Sequence, residues 1–146
     1  MEDIWNQNLK LYRVWMRRGE IYNDYAKQYN LSLPSLLTLY ALYDATKQYT
    51  QNDISKMWCL PKQTINSCVN TLVKQNWVKL VPFKDSKKLK AIELTEEGSL
   101  FCLDVIKPLV EIEMASLSAF EPDELQQLVM LSEKFNDMLQ KKIENQ

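Results

Sequence analysis

The chain has 146 residues, of which 46% are hydrophobic, and a net charge of −1, a composition typical of one folded domain and not of a disordered segment. It contains no histidine and only two glycines, which argues against Ser-His or Cys-His nucleophile pairs, zinc sites built on imidazole and glycine-rich phosphate loops. We therefore expect no enzyme and no catalytic residue, metal site or cofactor.

The first predicted helix covers residues 1–30 and carries an aromatic stripe. Residues at alternating spacings of three and four form one face of this helix, and Leu11 widens that face. A single helix cannot bury such a stripe, so we expect it to pack in a core or in a subunit interface. The stripe consists of Trp5, Asn8, Tyr12, Trp15, Gly19, Tyr22, Ala26 and Tyr29.

Two further helix starts follow. Ser32 is a predicted N-cap with Pro34 in the first turn, and this second helix should end near Ala45. Thr50 is another predicted N-cap, with Asp53 as its capping-box partner three residues later. It opens a short third helix, QNDISKMW.

A fourth helix is predicted after Pro61. Ile65, Cys68, Val69 and Leu72 stand at i, i+3, i+4 and i+7, so they should form its buried face. Asn76 lies where the helix should end, because asparagine tolerates the left-handed conformation of that position. The opposite face is polar and consists of Lys62, Gln63, Thr64, Asn66, Ser67, Asn70, Thr71 and Lys74.

After Asn76 the spacing of hydrophobic residues changes from a helical pattern to one typical of β-strands. WVKLVPF and LKAIELT read as two strands, and KDSKK joins them as a hairpin tip. Residues 56–90 carry eight lysines against one acid, whereas residues 91–146 carry four bases and twelve acids. A positive face beside acidic flanks can hold a polyanion, although a lysine-rich surface can also be merely solvated. A short helix, a tight turn, a polar-faced second helix and a basic hairpin together predict a winged helix-turn-helix.

The C-terminal part is predicted to be helical and dimeric. Thr95-Glu96-Glu97 begins a helix that Pro108 should kink, and Pro122 begins the last one. Because the helices in 1–30 and 98–146 carry apolar stripes that a small winged core cannot cover, we predict a homodimer. The predicted interface residues are Trp5, Leu11, Tyr12, Phe135, Met138 and Leu139.

At this point the sequence resembles the MarR family of multiple-antibiotic-resistance regulators over essentially its whole length. TQNDISKMWCLPKQTINSCVNTLVKQNWVKL resembles the family's helix-turn-helix, and KDSKKLKAIELTEEG resembles its wing, followed by the Leu-Thr-x-x-Gly of Leu94–Gly98. The resemblance implies a mostly α fold with a small β-hairpin wing in one domain, 1–146. In that domain, residues 32–95 form the DNA-binding lobe, with the wing at 77–95, and 1–30 and 98–146 supply dimerisation helices.

The resemblance also implies a homodimer that binds a roughly palindromic operator in double-stranded DNA. Repression is the family's commoner mode, and relatives often bind small aromatic compounds. Ser67 stands where many members have arginine, and the wing tip reads Asp85-Ser86-Lys87-Lys88 instead of an Asp-x-Arg-like tip. Because amide side chains pair with adenine edges, we predict an A·T-rich operator. The predicted DNA contacts are Lys62, Gln63, Thr64, Asn66, Ser67, Asn70, Lys74, Lys84, Ser86, Lys87 and Lys88.

The three cysteines are scattered, with no Cys-x-x-Cys pair. Cys68 and Cys102 follow buried registers and should be inert core thiols, which leaves Cys59, in the turn, as the candidate redox sensor. With neither a signal-peptide pattern nor an apolar run near the roughly 18 residues of a membrane span, we expect a cytoplasmic protein with no membrane partner. The alternatives are an architectural winged-helix protein that binds DNA without operator preference, a thiol-based redox regulator, and an interaction module that does not bind DNA.

Overall fold

The computed structural model describes all residues from Met1 to Gln146, in six α-helices and three short β-strands. The chain forms two compact units, Met1–Lys107 and Pro108–Gln146. No helix is both long enough and apolar enough to cross a membrane. The elements are α1 (Glu2–Gln28), α2 (Leu33–Tyr43), β1 (Tyr49–Thr50), α3 (Gln51–Trp58), α4 (Lys62–Lys74), β2 (Val78–Pro82), β3 (Lys90–Leu94), α5 (Glu96–Leu117) and α6 (Pro122–Glu144).

The core of the first unit lies among α2, α3, α4 and the sheet. Ile65, Val69 and Leu72 of α4 are fully buried and Cys68 is 6% exposed, so the predicted inner face of this helix is confirmed. Full burial of an aliphatic side chain of this size contributes about 1.5–3 kcal/mol. α4 is therefore held by one face and presents the other outward. Leu36, Leu39, Ile54 and Ile92 of the neighbouring elements are buried as well.

Both predicted N-caps are present. The Ser32 hydroxyl accepts a hydrogen bond from the Ser35 amide at 3.2 Å and so caps α2. At the start of α3 the Asp53 amide donates to Thr50 Oγ1 (3.2 Å), and the Thr50 amide donates to Asp53 Oδ2 (2.8 Å). The hydrogen bonds from the Thr50 amide and hydroxyl lower the pKa of Asp53 below its usual range. These caps set where α2 and α3 begin.

The sheet has one more strand than the sequence pattern predicts. Its order is β1-β3-β2, all antiparallel, with Tyr49 opposite Ile92 and Val81 opposite Ala91. The hairpin of β2 and β3 is as predicted, but β1 has only two residues and is too short to show a period of two. Its pairing with β3 joins the hairpin to the loop that follows α2.

The N-terminal helix is attached to the first unit through its C-terminal end. Ala26 is buried, and the Tyr25 hydroxyl donates to the Val105 carbonyl of α5 at 2.7 Å. Burial raises the pKa of Tyr25, so this hydroxyl remains a donor at physiological pH. The rest of α1 is largely exposed, including Trp5 and Ile21.

The second unit consists of the C-terminal half of α5 and all of α6. α6 begins at Pro122, as predicted, and the Glu121 amide donates to Glu124 Oε2 at 2.9 Å. No residue of α6 is buried. Its apolar side chains Leu128, Met138 and Ile143 are exposed, at 46%, 50% and 62%.

Candidate nucleic-acid interface

A tight, hydrogen-bonded turn connects α3 to α4. Cys59 takes up the left-handed conformation (φ 52°), a position that more often carries glycine. The Leu60 amide donates to the Ser55 carbonyl (3.0 Å), and the Ser55 hydroxyl donates to the Leu60 carbonyl (2.6 Å). Pro61 then precedes the first residue of α4 with φ −57°. This closed turn makes α3 and α4 a helix-turn-helix in which α4 is the predicted recognition helix.

The outer face of α4 is polar and accessible. Gln63, Asn66 and Asn70 are exposed, and their amides can each offer a donor and an acceptor to a base edge. Lys62 and Lys74 lie near the two ends of the helix, where they can reach phosphates. Ser67 is also exposed, whereas Thr64 is half-buried. The structure therefore places all seven predicted contacts of α4 away from its buried face.

A groove of about 710 Å³ lies beside this face, between the start of α2 and α4. Gln63, Thr64 and Ser67 line it from α4, and none of its lining residues is charged. Asn30 and Ser32 line it from the other side, and neither residue is among the predicted DNA contacts. The only available sequence signal was the predicted N-cap at Ser32.

The predicted wing forms a hydrogen-bonded hairpin whose tip spans residues 83–89. The Phe83 amide donates to the Leu89 carbonyl at 2.9 Å. The Ser86 hydroxyl accepts from the amides of Lys88 (3.3 Å) and Leu89 (3.1 Å). Ser86, which we predicted as a DNA contact, thus shapes the tip through its own hydrogen bonds.

The electrostatics of the wing are dominated by lysine. All eight lysines of residues 56–90 are exposed, including Lys84, Lys87 and Lys88 at the tip. Lys79 Nζ lies 4.0 Å from Glu93 Oε2, so part of its charge is compensated within the hairpin. The tip lysines remain available for an anionic partner.

The Leu94–Gly98 motif links the C-terminal end of α4 to the start of α5. The Thr95 hydroxyl donates to the Asn76 carbonyl (2.6 Å) and accepts from the Gly98 amide (2.9 Å). Asn76 has φ 60°, as predicted for the residue after α4. A Cβ on Gly98 would lie 1.8 Å from the Trp77 carbonyl oxygen. The motif therefore has a structural role: it holds the two ends of the wing, residues 76–77 and 95–98, together.

The cysteines divide by burial. Cys68 and Cys102 are buried, and Cys68 Sγ lies 3.3 Å from Thr38 Oγ1. Burial raises the pKa of Cys68 and raises that of Cys102 to about 12, so both are protonated thiols at neutral pH. Cys59 is exposed in the turn before α4.

The residues predicted for a dimer interface are accessible to different degrees. Trp5 (62%) and Tyr12 (56%) of α1 are exposed, as are Met138 (50%) and Leu139 (48%) of α6. Leu11 and Phe135 are half-buried. The interface itself stays a prediction.

Comparison with known proteins gives a fold but no close sequence relative. No family model matches the sequence, and no curated protein matches it. Among solved structures, a MarR family regulator from Neisseria meningitidis superimposes with a TM-score of 0.82 at 21% identity, over 96% of this chain and 99% of that one. S. aureus MepR in complex with DNA has a TM-score of 0.68 at 20% identity, over 88% and 96%.

A third similar structure is Bordetella bronchiseptica BpsR, whose DNA binding is regulated by 6-hydroxynicotinic acid. It gives a TM-score of 0.69 at 18% identity, over 89% of this chain and 92% of that one. The chain thus has the winged-helix fold of MarR regulators, and the predicted fold class is confirmed. At these identities the likeness establishes the fold alone.

Proposed function

We propose that the protein is a MarR-family transcriptional regulator, without enzymatic activity, that acts in the cytoplasm as a homodimeric repressor on a roughly palindromic, A·T-rich operator. The observation that carries the proposal is the exposed amide and lysine face of α4 together with a lysine-rich wing. Both occur in a fold that MepR also has when bound to DNA. In this proposal residues 32–95 are the DNA-binding lobe of a single domain.

Base recognition is assigned to the amides of α4. Gln63, Asn66 and Asn70 can pair with N6 and N7 of adenine in the major groove, and the Thr64 methyl can contact thymine. Arginine, the usual bidentate partner of guanine, is absent from this helix. The chemistry therefore favours A·T pairs over G·C pairs.

Phosphate binding is assigned to the lysines. Lys62 and Lys74 flank the base-reading residues, and Lys84, Lys87 and Lys88 extend from the wing tip. Each lysine that neutralises a phosphate releases counterions, so binding should weaken steeply as salt rises. The acids of residues 91–146 discourage other surfaces from approaching DNA.

The proposed dimer rests on exposed apolar surface and charge complementarity. α1 and α6 both carry many exposed apolar side chains, and apolar surface of this kind often marks an interaction site. Residues 10–18 of α1 carry four bases and no acid, whereas residues 108–146 carry eight acids and three bases. A second copy supplies both the apolar partner and the opposite charge, and its two-fold symmetry matches a palindromic operator.

We also propose that a small aromatic effector controls DNA binding. Regulation of BpsR by 6-hydroxynicotinic acid supports it by analogy. An effector that binds preferentially to one arrangement of the dimer shifts the population away from the arrangement that fits the operator. Calorimetric titration with a panel of phenolic and nicotinic acids tests this part separately.

The first experiment is selection of genomic fragments by the purified protein at near-physiological salt. One selected fragment and its scrambled version are then titrated. A palindromic fragment bound many-fold tighter than its scramble supports the regulator. Equal, steeply salt-dependent binding to both favours the architectural alternative, which the serine at position 67 makes the second candidate.

Redox control is tested through Cys59, which is exposed in the turn between α3 and α4. Treatment with mild peroxide should release DNA from the wild type if this thiol is the sensor. A Cys59→Ser variant that still responds removes Cys59 from the proposal.

A further inference from the structure

One side chain joins the wing to the rest of the first unit. Gln48 lies in the loop between α2 and β1 and is half-buried. Its Nε2 donates to Glu93 Oε1 on β3 at 3.2 Å, and its Oε1 accepts from the Lys84 amide at the wing tip at 3.0 Å. Both ends of the amide are therefore used, one on the second strand of the wing and one on its tip.

The sheet register explains why Gln48 reaches both partners. Tyr49 pairs with Ile92, so the antiparallel register places Gln48 next to Glu93. On its other side Glu93 is paired with Lys79 of β2, and their side chains approach to 4.0 Å. Gln48, just before β1, thus forms a polar row with Glu93 of β3 and Lys79 of β2.

The position that Gln48 holds at the tip is an unfavourable one. Lys84 has φ 51°, a left-handed conformation that is unfavourable for a residue with a Cβ. The Lys84 amide is a donor in an exposed loop, and Gln48 Oε1 fixes its direction. The other tip hydrogen bonds, including Ser86 to Phe83, are local to the hairpin and do not connect it to α2.

We propose that Gln48 is a positioning residue for the wing, holding Lys84 and its neighbours Lys87 and Lys88 in the orientation that contacts DNA. The inference rests on the proposed DNA-binding function and adds a residue outside both the recognition helix and the wing. Gln48 does not touch DNA in this scheme; it acts through the backbone of the tip. Without it the tip lysines sample more conformations, and ordering them on DNA costs additional entropy.

The test compares the full-length wild type with Gln48→Leu on the selected fragment. We expect Gln48→Leu to raise Kd about 10-fold and to make the slope of log K against log salt shallower by about 2, because fewer tip lysines engage phosphate. Thermal unfolding of the free protein should shift by less than about 5 °C. Gln28→Leu, an exposed change at the end of α1, serves as the matched control and should leave both values unchanged.

A second pair of variants tests whether the hydrogen bond between residues 48 and 93 can be restored without a change in net charge. Gln48→Glu keeps the acceptor for the Lys84 amide but removes the donor to Glu93 and adds a like charge, so it should weaken binding. The double variant Gln48→Glu/Glu93→Gln has the wild-type net charge and restores one hydrogen bond with its direction reversed. We expect it to recover at least half of the lost affinity on a logarithmic scale.

Two results would overturn the inference while leaving the proposed function intact. One is a Gln48→Leu protein that binds with the wild-type Kd and salt slope. The other is an equal loss caused by Gln48→Leu in a background that already carries Lys84→Ala, Lys87→Ala and Lys88→Ala, since a residue that acts through the tip has nothing left to position there. Failure of the wild type to bind any fragment would instead refute the proposed function, and the role of Gln48 in DNA binding with it.

Discussion

Individual residues of the first unit show how tightly the wing is joined to α4. The backbone of Gly98 packs against the Trp77 carbonyl. Just before α5, the Thr95 hydroxyl donates a hydrogen bond to the carbonyl of Asn76, the residue that precedes Trp77. Gly19, the other glycine, lies in α1 with no atom near the position of a Cβ. The same residue type therefore serves a steric requirement at one site and none at the other.

Substituting the two glycines by alanine should give effects of opposite sign. Gly98→Ala places a methyl carbon 1.8 Å from the Trp77 oxygen, so the backbone has to move, and we expect the free energy of unfolding to fall by about 1–3 kcal/mol or more. Gly19→Ala should raise it by up to about 1 kcal/mol, because alanine favours an exposed helix interior. Urea unfolding of both variants measures this. Equal effects would show that the contact with Trp77 does not limit the site.

Replacing Asn66 and Lys87 should separate base reading from phosphate binding. Asn66→Ala is expected to reduce discrimination against a substituted A·T pair by about 1–3 kcal/mol. Lys87→Ala should weaken binding to all sequences alike and make the salt slope shallower by about 1. Competition titrations at several salt concentrations distinguish the two. A consensus dominated by invariant G·C pairs would contradict the assignment of α4 amides to adenine.

At the scale of elements, α3 is a helix of eight residues, which is too short to be stable by itself. It is held by the capping box of Thr50 and Asp53 at its start and by buried Ile54. Thr50 also ends β1, so one residue belongs both to the sheet and to the cap of the helix-turn-helix. Weakening the cap should therefore affect both elements.

Removing the α3 cap should cost stability in a pH-dependent way. Thr50→Ala should lower the free energy of unfolding by about 1 kcal/mol, whereas Thr46→Ala in the preceding exposed loop should change it by less than about 0.5 kcal/mol. Because folding lowers the pKa of Asp53, its contribution is fully present above the usual aspartate pKa and is lost as pH falls through the lowered value. Asp53→Asn should thus flatten the acid side of the stability profile below about pH 4. An unchanged profile would exclude this contribution.

At the scale of the whole molecule, two units carry different surfaces. The first presents the lysine-rich window and a well-buried core, and the second has no buried residue in α6. In the proposed function the first unit binds the polyanion, whereas self-association uses α1 of the first unit together with α6 of the second. The proposed dimer connects them, since a monomer would present one recognition helix to half an operator.

Disrupting the apolar surface of α6 should separate dimerisation from folding of the first unit. Met138→Glu/Leu139→Glu is expected to halve the mass measured by light scattering and to weaken operator binding by at least about 100-fold, because the second half-site is lost. Gln126→Glu, on another face of α6, should do neither. Retention of the wild-type mass by the double variant would remove α6 from the interface.

Features that depend on neighbours within a few residues could be predicted from the amino-acid pattern alone. Hydrophobic residues spaced three and four apart predicted the helices. Ser32 and Thr50 indicated where α2 and α3 begin, and Asn76 indicated where α4 ends, because caps and amphipathic faces are local properties. The inner and outer faces of α4 followed from the same periodicity, and with them the candidate base-reading residues. Resemblance supplied the rest of the predicted function.

Features that depend on residues far apart in the chain became visible only in the folded molecule. β1 exists because Tyr49 and Thr50 meet β3 some forty residues later, and two residues carry no periodic signal. The bridge from Gln48 to Lys84, the contact of Gly98 with Trp77 and the internal role of Ser86 likewise arise from pairing and packing. A glutamine in a loop has no distinguishing pattern of its own, and it becomes a positioning residue only when the register of the sheet brings both of its partners within hydrogen-bonding distance.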